Sequence, residues 1–299
     1  MIFVSIFGGL GNQMFQYATA KAVAKRLNVE LKLDIQHVTD RKFRKNFTYR
    51  NFELSVFNLD EKIATLKEVR RYIPNLWNTN KIILQFYRIK RILTGRRLYQ
   101  EKKKFCIDEN IFSIKDNTYL YGYFQTSGYF EDIRSDLLYS FEFKTPPNQI
   151  NRELMAQISR ENAVSIHVRR GDYINSPFHL LGMDDYYMKA IKIISEKVTS
   201  PTFYIFSNDY DWVIENFKDL PIKKTIVQIN NTESDAHMDM KLMSMCKHNI
   251  CANSSFSWWG AWLNQYTERI IIVPQRWFNN SVIYNTSTND LIPKDWIRI

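Results

Sequence analysis

Three stretches carry residue types that could do chemistry on a phosphorylated ligand. The first is His167-Val168-Arg169-Arg170-Gly171-Asp172-Tyr173. An arginine presents a planar fork of donors that matches phosphate oxygens, and it stays charged at any working pH. Neighbouring residues of a strand point to opposite faces. One of Arg169 and Arg170 is therefore expected to grip phosphate, and the other to pair with Asp172 or another nearby acid. A structural ion-pair network would use the same residues. The second stretch is Asn253-Ser254-Ser255-Phe256-Ser257-Trp258-Trp259. Serines at a turn that opens a helix bind phosphate through hydroxyl and backbone N–H, and Phe256 could cover a base or sugar. An ordinary serine N-cap before a buried aromatic helix has the same sequence. Trp258, Trp259 and Trp262 read as core.

The third stretch is Gly8-Gly9-Leu10-Gly11-Asn12-Gln13. Glycines such as Gly9 and Gly11 let backbone approach a ligand closely, and a helix amino end favours an anion. Asn12 and Gln13 add side-chain donors at the same edge. The pattern partly matches a dinucleotide fingerprint, but Met14 stands where a small residue is needed, and Asp34 comes too late for a ribose-binding acid. Both departures count against an NAD-dependent oxidoreductase. Asp209-Tyr210-Asp211 has the spacing by which some glycosyltransferases hold a divalent metal. It also opens a helix, where acids suit the dipole, and that second account is preferred. No other cluster of His, Cys, Asp or Glu offers metal ligands, so no metal and no cofactor are expected.

The elements around these stretches form two runs of strand, turn and helix. Residues 1–7 read as a buried strand, Gln13–Leu27 as a helix and Leu31–Asp34 as a second strand, which makes a βαβ unit with a parallel sheet. Residues 40–115 are basic and aromatic and resist assignment, and Thr118–Phe124 reads as a strand. Thr145-Pro146-Pro147-Asn148 is a linker signal. After it come a helix over Arg152–Arg160, strands at Ala163–Val168, Thr202–Phe206, Thr225–Ile229, Ile250–Ala252 and Ile270–Val273, and helices at Asp185–Val198, Asp209–Phe217, Asp235–Cys246 and from Ser257 to Leu263. The expected fold class is α/β, with two Rossmann-like domains over 1–147 and 148–299, the last residues able to pack back on the first. Ligands of such sheets sit at the carboxyl ends of the strands.

The 299 residues suffice for two domains. Net charge is +10, and nine basic residues between Lys81 and Lys104 face Glu101 alone. Trp77, Leu84, Phe86 and Tyr87 interleave with the stretch. The stretch fits either a solvated face or peripheral contact with an anionic membrane. No nucleic-acid module accompanies it, so nucleic acid is not an expected partner. The first residues lack a basic n-region and the apolar run is short, which predicts a cytoplasmic protein without a signal peptide. Cys106, Cys246 and Cys251 show no disulfide or metal spacing.

Together, Gly8 to Tyr17, Tyr121-Gly122-Tyr123-Phe124-Gln125 with Tyr129-Phe130, His167 to Tyr173 and Asn253 to Trp259 resemble the α-1,2-fucosyltransferases of glycosyltransferase family 11, in order along the chain. The resemblance implies the B-type architecture, two Rossmann-like domains facing a central cleft. It implies inverting, metal-independent transfer of fucose from GDP-β-L-fucose to the 2-hydroxyl of a terminal galactose. It gives Arg169 the GDP phosphates with His167 in support, Ser254, Ser255 and Phe256 the phosphate and nucleoside pocket, Asp239 the guanine edge, and Asn12 the phosphate or acceptor. Asp172 and Asp185 are the acidic candidates for a general base. Other GDP-fucose enzymes, with another linkage or a protein acceptor, and a non-catalytic nucleotide-sugar or glycan-binding protein are the alternatives. A bacterial enzyme of this kind would act in the cytoplasm or on the inner face of the membrane.

Overall fold

The computed structural model describes the whole chain except residues 41–49, 75–79, 175–182, 228–230, 232–234 and 280–286, and the side chains of Asp172 and Asp184. The chain divides into two compact units, Met1–Lys144 with Ser287–Ile292, and Thr145–Thr286 with Pro293–Ile299.

The first unit runs β1 (Ile2–Ser5), α1 (Leu10–Leu27), β2 (Leu31–Asp34), the short α2 (Gln36–Thr39), β3 (Lys62–Ile63), the short α3 (Leu66–Val69), α4 (Lys81–Leu93), β4 (Arg97–Gln100), β5 (Thr118–Tyr121) and α5 (Arg134–Ser140). Its strands are all parallel, in the order β3-β2-β1-β5-β4. β1 lies inside the sheet, and all four of its residues are buried, as its unbroken apolar run requires. α1 begins at Leu10, ahead of its first periodic apolar residue. It ends at Asn28, which takes the left-handed conformation (φ 52°) and caps the Ala24 and Lys25 carbonyls. The basic stretch becomes α4 and the edge strand β4, and α4 has no buried residue.

The second unit runs α6 (Gln149–Arg160), β6 (Asn162–Val168), α7 (Asp184–Lys197), β7 (Pro201–Ser207), α8 (Tyr210–Phe217), β8 (Lys224–Ile226), α9 (His237–Met245), β9 (His248–Ile250), α10 (Ser255–Trp262), β10 (Ile271–Val273) and β11 (Ile297–Arg298). All six strands are parallel, in the order β11-β10-β9-β6-β7-β8. From β6 the chain builds outward through β7 and β8. It then returns to β6's other flank and builds outward again from β9. The order therefore reverses between β6 and β9, and in sheets of this kind ligands bind at the carboxyl ends of the strands flanking such a reversal.

β9 sits two residues earlier than its apolar residues predict. His248 and Asn249 are polar yet buried, because each has a partner. His248 Nδ1 accepts from Ile270 N at 3.0 Å, and Asn249 Nδ2 donates to Ser165 Oγ and the Met243 carbonyl, both at 2.8 Å. The strand predicted over Thr225–Ile229 is β8, and residues 228 and 229 lie outside the described part.

The tryptophans of α10 are core. Trp258 and Trp259 are fully buried, with ring centroids 5.0 Å apart, and Trp258 lies 5.3 Å from Trp296. Trp258→Ala is expected to cost about 3–5 kcal/mol of stability, read by denaturant unfolding. A loss under about 1 kcal/mol would mean the ring does not hold the unit together.

Candidate active site

The reversal point of the second unit is flanked by the loops after β6 and β9. Arg169 and Arg170 leave β6 and separate. Arg170 Nε donates to Asp209 Oδ2 at 3.0 Å, and its guanidinium lies 4.4 Å from the Trp212 ring centroid. Its backbone N–H donates to Asn208 Oδ1 at 3.0 Å. Gly171 makes this contact possible, since a Cβ there would sit 2.1 Å from Asn208 Nδ2. Arg169 goes the other way, with its guanidinium 5.7 Å from the Tyr173 ring. The Tyr173 hydroxyl donates to the Asn253 carbonyl at 3.1 Å, which ties the loop after β6 to the loop after β9.

Asp209 thus has both oxygens engaged. Oδ2 takes Arg170, and Oδ1 accepts from Trp212 N at 3.3 Å as the N-cap of α8. The acid expected to pair with one arginine is Asp209, reached across β7, and Asp211 occupies the first turn of α8. Among the described residues, no group of three or more His, Cys, Asp or Glu is placed to hold a metal ion.

His167 is buried on β6, with its ring 5.7 Å from that of Phe256. Burial, aided by Arg169, holds its pKa down to about 3, so the imidazole is neutral at working pH. From α7, the Tyr187 hydroxyl donates to the His167 carbonyl at 3.0 Å, and the Tyr186 hydroxyl lies 2.6 Å from the Cys251 carbonyl. These two tyrosines hold the first turn of α7 over the carboxyl ends of β6 and β9. Asp185 is exposed in that turn. Asp172 lies in the short helix Gly171–Tyr173 after Arg170, and its side chain is outside the described part.

Ser254 is the N-cap of α10, its hydroxyl accepting from Phe256 N at 3.3 Å. Ser255 and Phe256 remain partly exposed in the first turn. Asp239, in the first turn of α9, accepts from Asn231 Nδ2 at 2.6 Å. Asn231 in turn exchanges hydrogen bonds with Asn151 at 2.8 and 3.1 Å. Burial pushes the Asp239 pKa up to about 6, against the opposing pull of the Asn231 bond.

In the first unit, the glycine loop and the loop after β5 meet at the sheet's own reversal, between β1 and β5. Gln125 Nε2 donates to Asn12 Oδ1 at 2.8 Å. Gly8 has φ +78°, and a Cβ there would approach Asn12 Nδ2 to 2.8 Å. The expectation that Gln13 offers donors to a ligand needs correction. Its amide nitrogen donates to the Gly8 and Asn51 carbonyls, each at 2.8 Å, and its oxygen accepts from Glu53 N at 3.0 Å. Gln13 is fully buried and shapes the loop. The α1 amino end already holds an anion, since Glu53 Oε2 accepts from Leu10 N at 2.8 Å. Gly9 is the N-cap of α1, and Gly11 is buried in its first turn. Phe7, Tyr121 and Tyr123, partly exposed, pack at the same edge with centroids 5.4 and 4.8 Å from Phe7.

Sequence reasoning missed Glu53, Asn208, Tyr186, Tyr187 and Asn231. Most act from distant positions, and none belongs to a recognisable spacing.

The sequence profile of Glycosyl transferase family 11 matches residues 1–299. The chain belongs to this family. This family 11 glycosyltransferase is 34% identical over 299 positions to the O-antigen biosynthesis glycosyltransferase WbnK of Escherichia coli, with 91% of this chain and 93% of that protein covered. It is 33% identical over 309 positions to an α-1,2-colitosyltransferase of Escherichia coli, covering 100% and 99%. The solved fucosyltransferase NodZ from Bradyrhizobium aligns at a TM-score of 0.47 and 14% identity, covering 87% of this chain and 91% of that one.

The raised pKa of Asp239 means that the folded glycosyltransferase prefers the protonated carboxyl. Its contribution to stability is present at low pH and is lost as pH rises through about 6. Asp239→Asn is therefore expected to raise the thermal midpoint at alkaline pH and to lose that advantage below about pH 6. Parallel pH profiles for variant and parent would remove the burial argument.

Proposed function

We propose that this glycosyltransferase transfers L-fucose from GDP-β-L-fucose, with inversion, to the 2-hydroxyl of a terminal galactose. The observation that carries this reading is the divergence of two adjacent arginines. Arg170 pairs with Asp209 and Trp212, while the Arg169 guanidinium lies against Tyr173, whose hydroxyl reaches the loop after β9. As the fucose–phosphate bond breaks, its electron pair goes to the β-phosphate of GDP, and Arg169 stabilises that charge. No metal is needed for that role. The acceptor oxygen bonds to the anomeric carbon from the opposite ring face, and its proton is lost to a base. Asp172 and Asp185 are the candidates, both at the carboxyl edge of the second sheet. Ser255 and Phe256 line the nucleoside and phosphate pocket, with Ser254 holding their helix turn. Ionised Asp239 accepts from guanine N–H groups. Neutral His167 packs behind Phe256 and positions Arg169's strand end. On the first unit, Asn12 and the rings of Phe7, Tyr121 and Tyr123 suit a sugar acceptor.

A second reading has a specific support, the whole-length relative named as a colitosyltransferase. Colitose is L-fucose without the 3-hydroxyl. The residues assigned here hold the GDP moiety, which both donors share, so they do not choose between the sugars.

Arg169→Lys is expected to lower kcat by about a hundredfold without unfolding the protein, because an ammonium does not reproduce the fork. Near-normal turnover would remove Arg169 from the mechanism.

The deciding assay supplies GDP-fucose or GDP-colitose with lactose, in the presence of EDTA, and reads the product by mass spectrometry and linkage analysis. Fucosyl-lactose linked at the galactose 2-hydroxyl is the expected product. Transfer from GDP-colitose alone would establish the second reading. A metal requirement restored by Mn²⁺ would overturn the role given to Arg169. Donor binding without transfer to any galactoside would leave a non-catalytic binding protein.

A further inference from the structure

Helix α4 is amphipathic in the inverted sense. Its apolar face points away from the unit that carries it. Ile82, Phe86, Ile89 and Leu93 follow one another at four-, three- and four-residue steps and so form one ridge. They are 80%, 61%, 49% and 80% exposed, and Ile92 beside them is 71% exposed. The half-buried side of the helix is instead formed by Tyr87, Lys90 and Arg91. Arg91 Nη1 donates to the Tyr72 carbonyl at 2.8 Å, which fastens that side to the first unit. The helix does not occur by accident of packing, since Asn80 caps it, accepting from Ile82 N and Ile83 N at 2.9 and 3.3 Å.

Leaving five large apolar side chains in water is costly, at roughly 25 cal/mol for each Å². A ridge of this kind marks a contact surface. The charges around it say what kind. Lys81 and Arg88, both exposed, line one flank of the ridge, and α4 contains no acid. Beyond it, Arg96, Arg97, Lys102, Lys103 and Lys104 add to the same sign. A second copy of the chain, seated ridge to ridge, would bring like charges together. An anionic bilayer answers both features at once. Its headgroups pair with the cationic flank, and its acyl boundary accepts a convex apolar ridge without requiring a matching groove.

We propose that α4 is a membrane-surface anchor that lies in the headgroup plane of an anionic bilayer, with Ile82, Phe86, Ile89, Ile92 and Leu93 immersed. Among the described residues no helix is long and apolar enough to cross a membrane, so the contact made by α4 is peripheral. The inference concerns a surface and is independent of which sugar is transferred.

The test is flotation of the full chain with vesicles of phosphatidylglycerol and phosphatidylethanolamine, against vesicles of phosphatidylcholine alone. The wild type is expected to float with the anionic vesicles and to be released as salt rises towards about 1 M. The triple substitution Ile82→Gln, Phe86→Gln, Leu93→Gln changes three exposed side chains and should leave the thermal midpoint and turnover on a soluble acceptor unchanged. Its vesicle affinity should fall at least about tenfold. The pair Lys81→Gln and Arg88→Gln should also weaken binding, to anionic vesicles only. Failure of the wild type to float, or flotation of the triple variant at wild-type affinity, would overturn the proposal. So would a solution dimer that the triple variant converts to monomer, since the ridge would then belong to a second copy. Absence of turnover with wild-type flotation intact would count against the fucosyltransferase reading alone.

Discussion

Two like charges on adjacent residues at the end of a strand must be sent to different places. The second unit does this with the parallel neighbours of β6. On the β7 side, Asn208, Asp209 and Trp212 take hold of Arg170 through its backbone, its guanidinium edge and its guanidinium face. On the β9 side, Tyr173 lies beside Arg169 and reaches the Asn253 carbonyl. The strand order reverses between β6 and β9, so Arg169 lies on the side of the reversal. The Arg170–Asp209 pair is partly shielded from water, and its value lies more in orientation than in stability. Gly171 is what lets Asn208 close the arrangement from beneath.

This sorting also sets the electrostatics at the carboxyl end of β6. Asp209 offsets the charge of Arg170. His167 is neutral because burial and Arg169 both oppose its protonation. Arg169 is therefore the charged group at this strand end, and the imidazole beside it is held in its neutral form. Asp239 is at the opposite limit, a carboxyl whose surroundings resist ionisation. A group that is costly to ionise in the folded chain is well placed to gain from a ligand that donates to it.

Much of the second unit was legible because buried parallel strands read as unbroken apolar runs. β6 and β7 appear in the sequence nearly at their observed bounds. Where burial and apolarity part company, legibility fails. β9 contains His248 and Asn249, which are buried but satisfied by partners remote in sequence. β3 and β11 have only two residues each, and β4 is an exposed edge strand, so none carries an alternation to detect. The arginine split was legible from strand geometry, but its acid was not. Asp209 is 39 residues from Arg170, and only the parallel register of β6 and β7 brings them together.

The two helix amino ends show why motif and role need not coincide. The glycine loop before α1 and the serine turn before α10 both look like anion sites, and neither helix has an acid in its first turn. Their caps differ in charge. At α1 a carboxylate from Glu53, 43 residues away, already accepts from Leu10 N, so a phosphate there would meet like charge. At α10 the cap is the Ser254 hydroxyl, which is neutral and leaves the helix dipole uncompensated. The same unit supplies Arg169. The two amino ends therefore differ in charge, one capped by a carboxylate and the other by a hydroxyl. Under the proposed reading, the loop's tight backbone, its paired Asn12 and Gln125 and its partly exposed aromatic rings suit the uncharged sugar rather than the nucleotide.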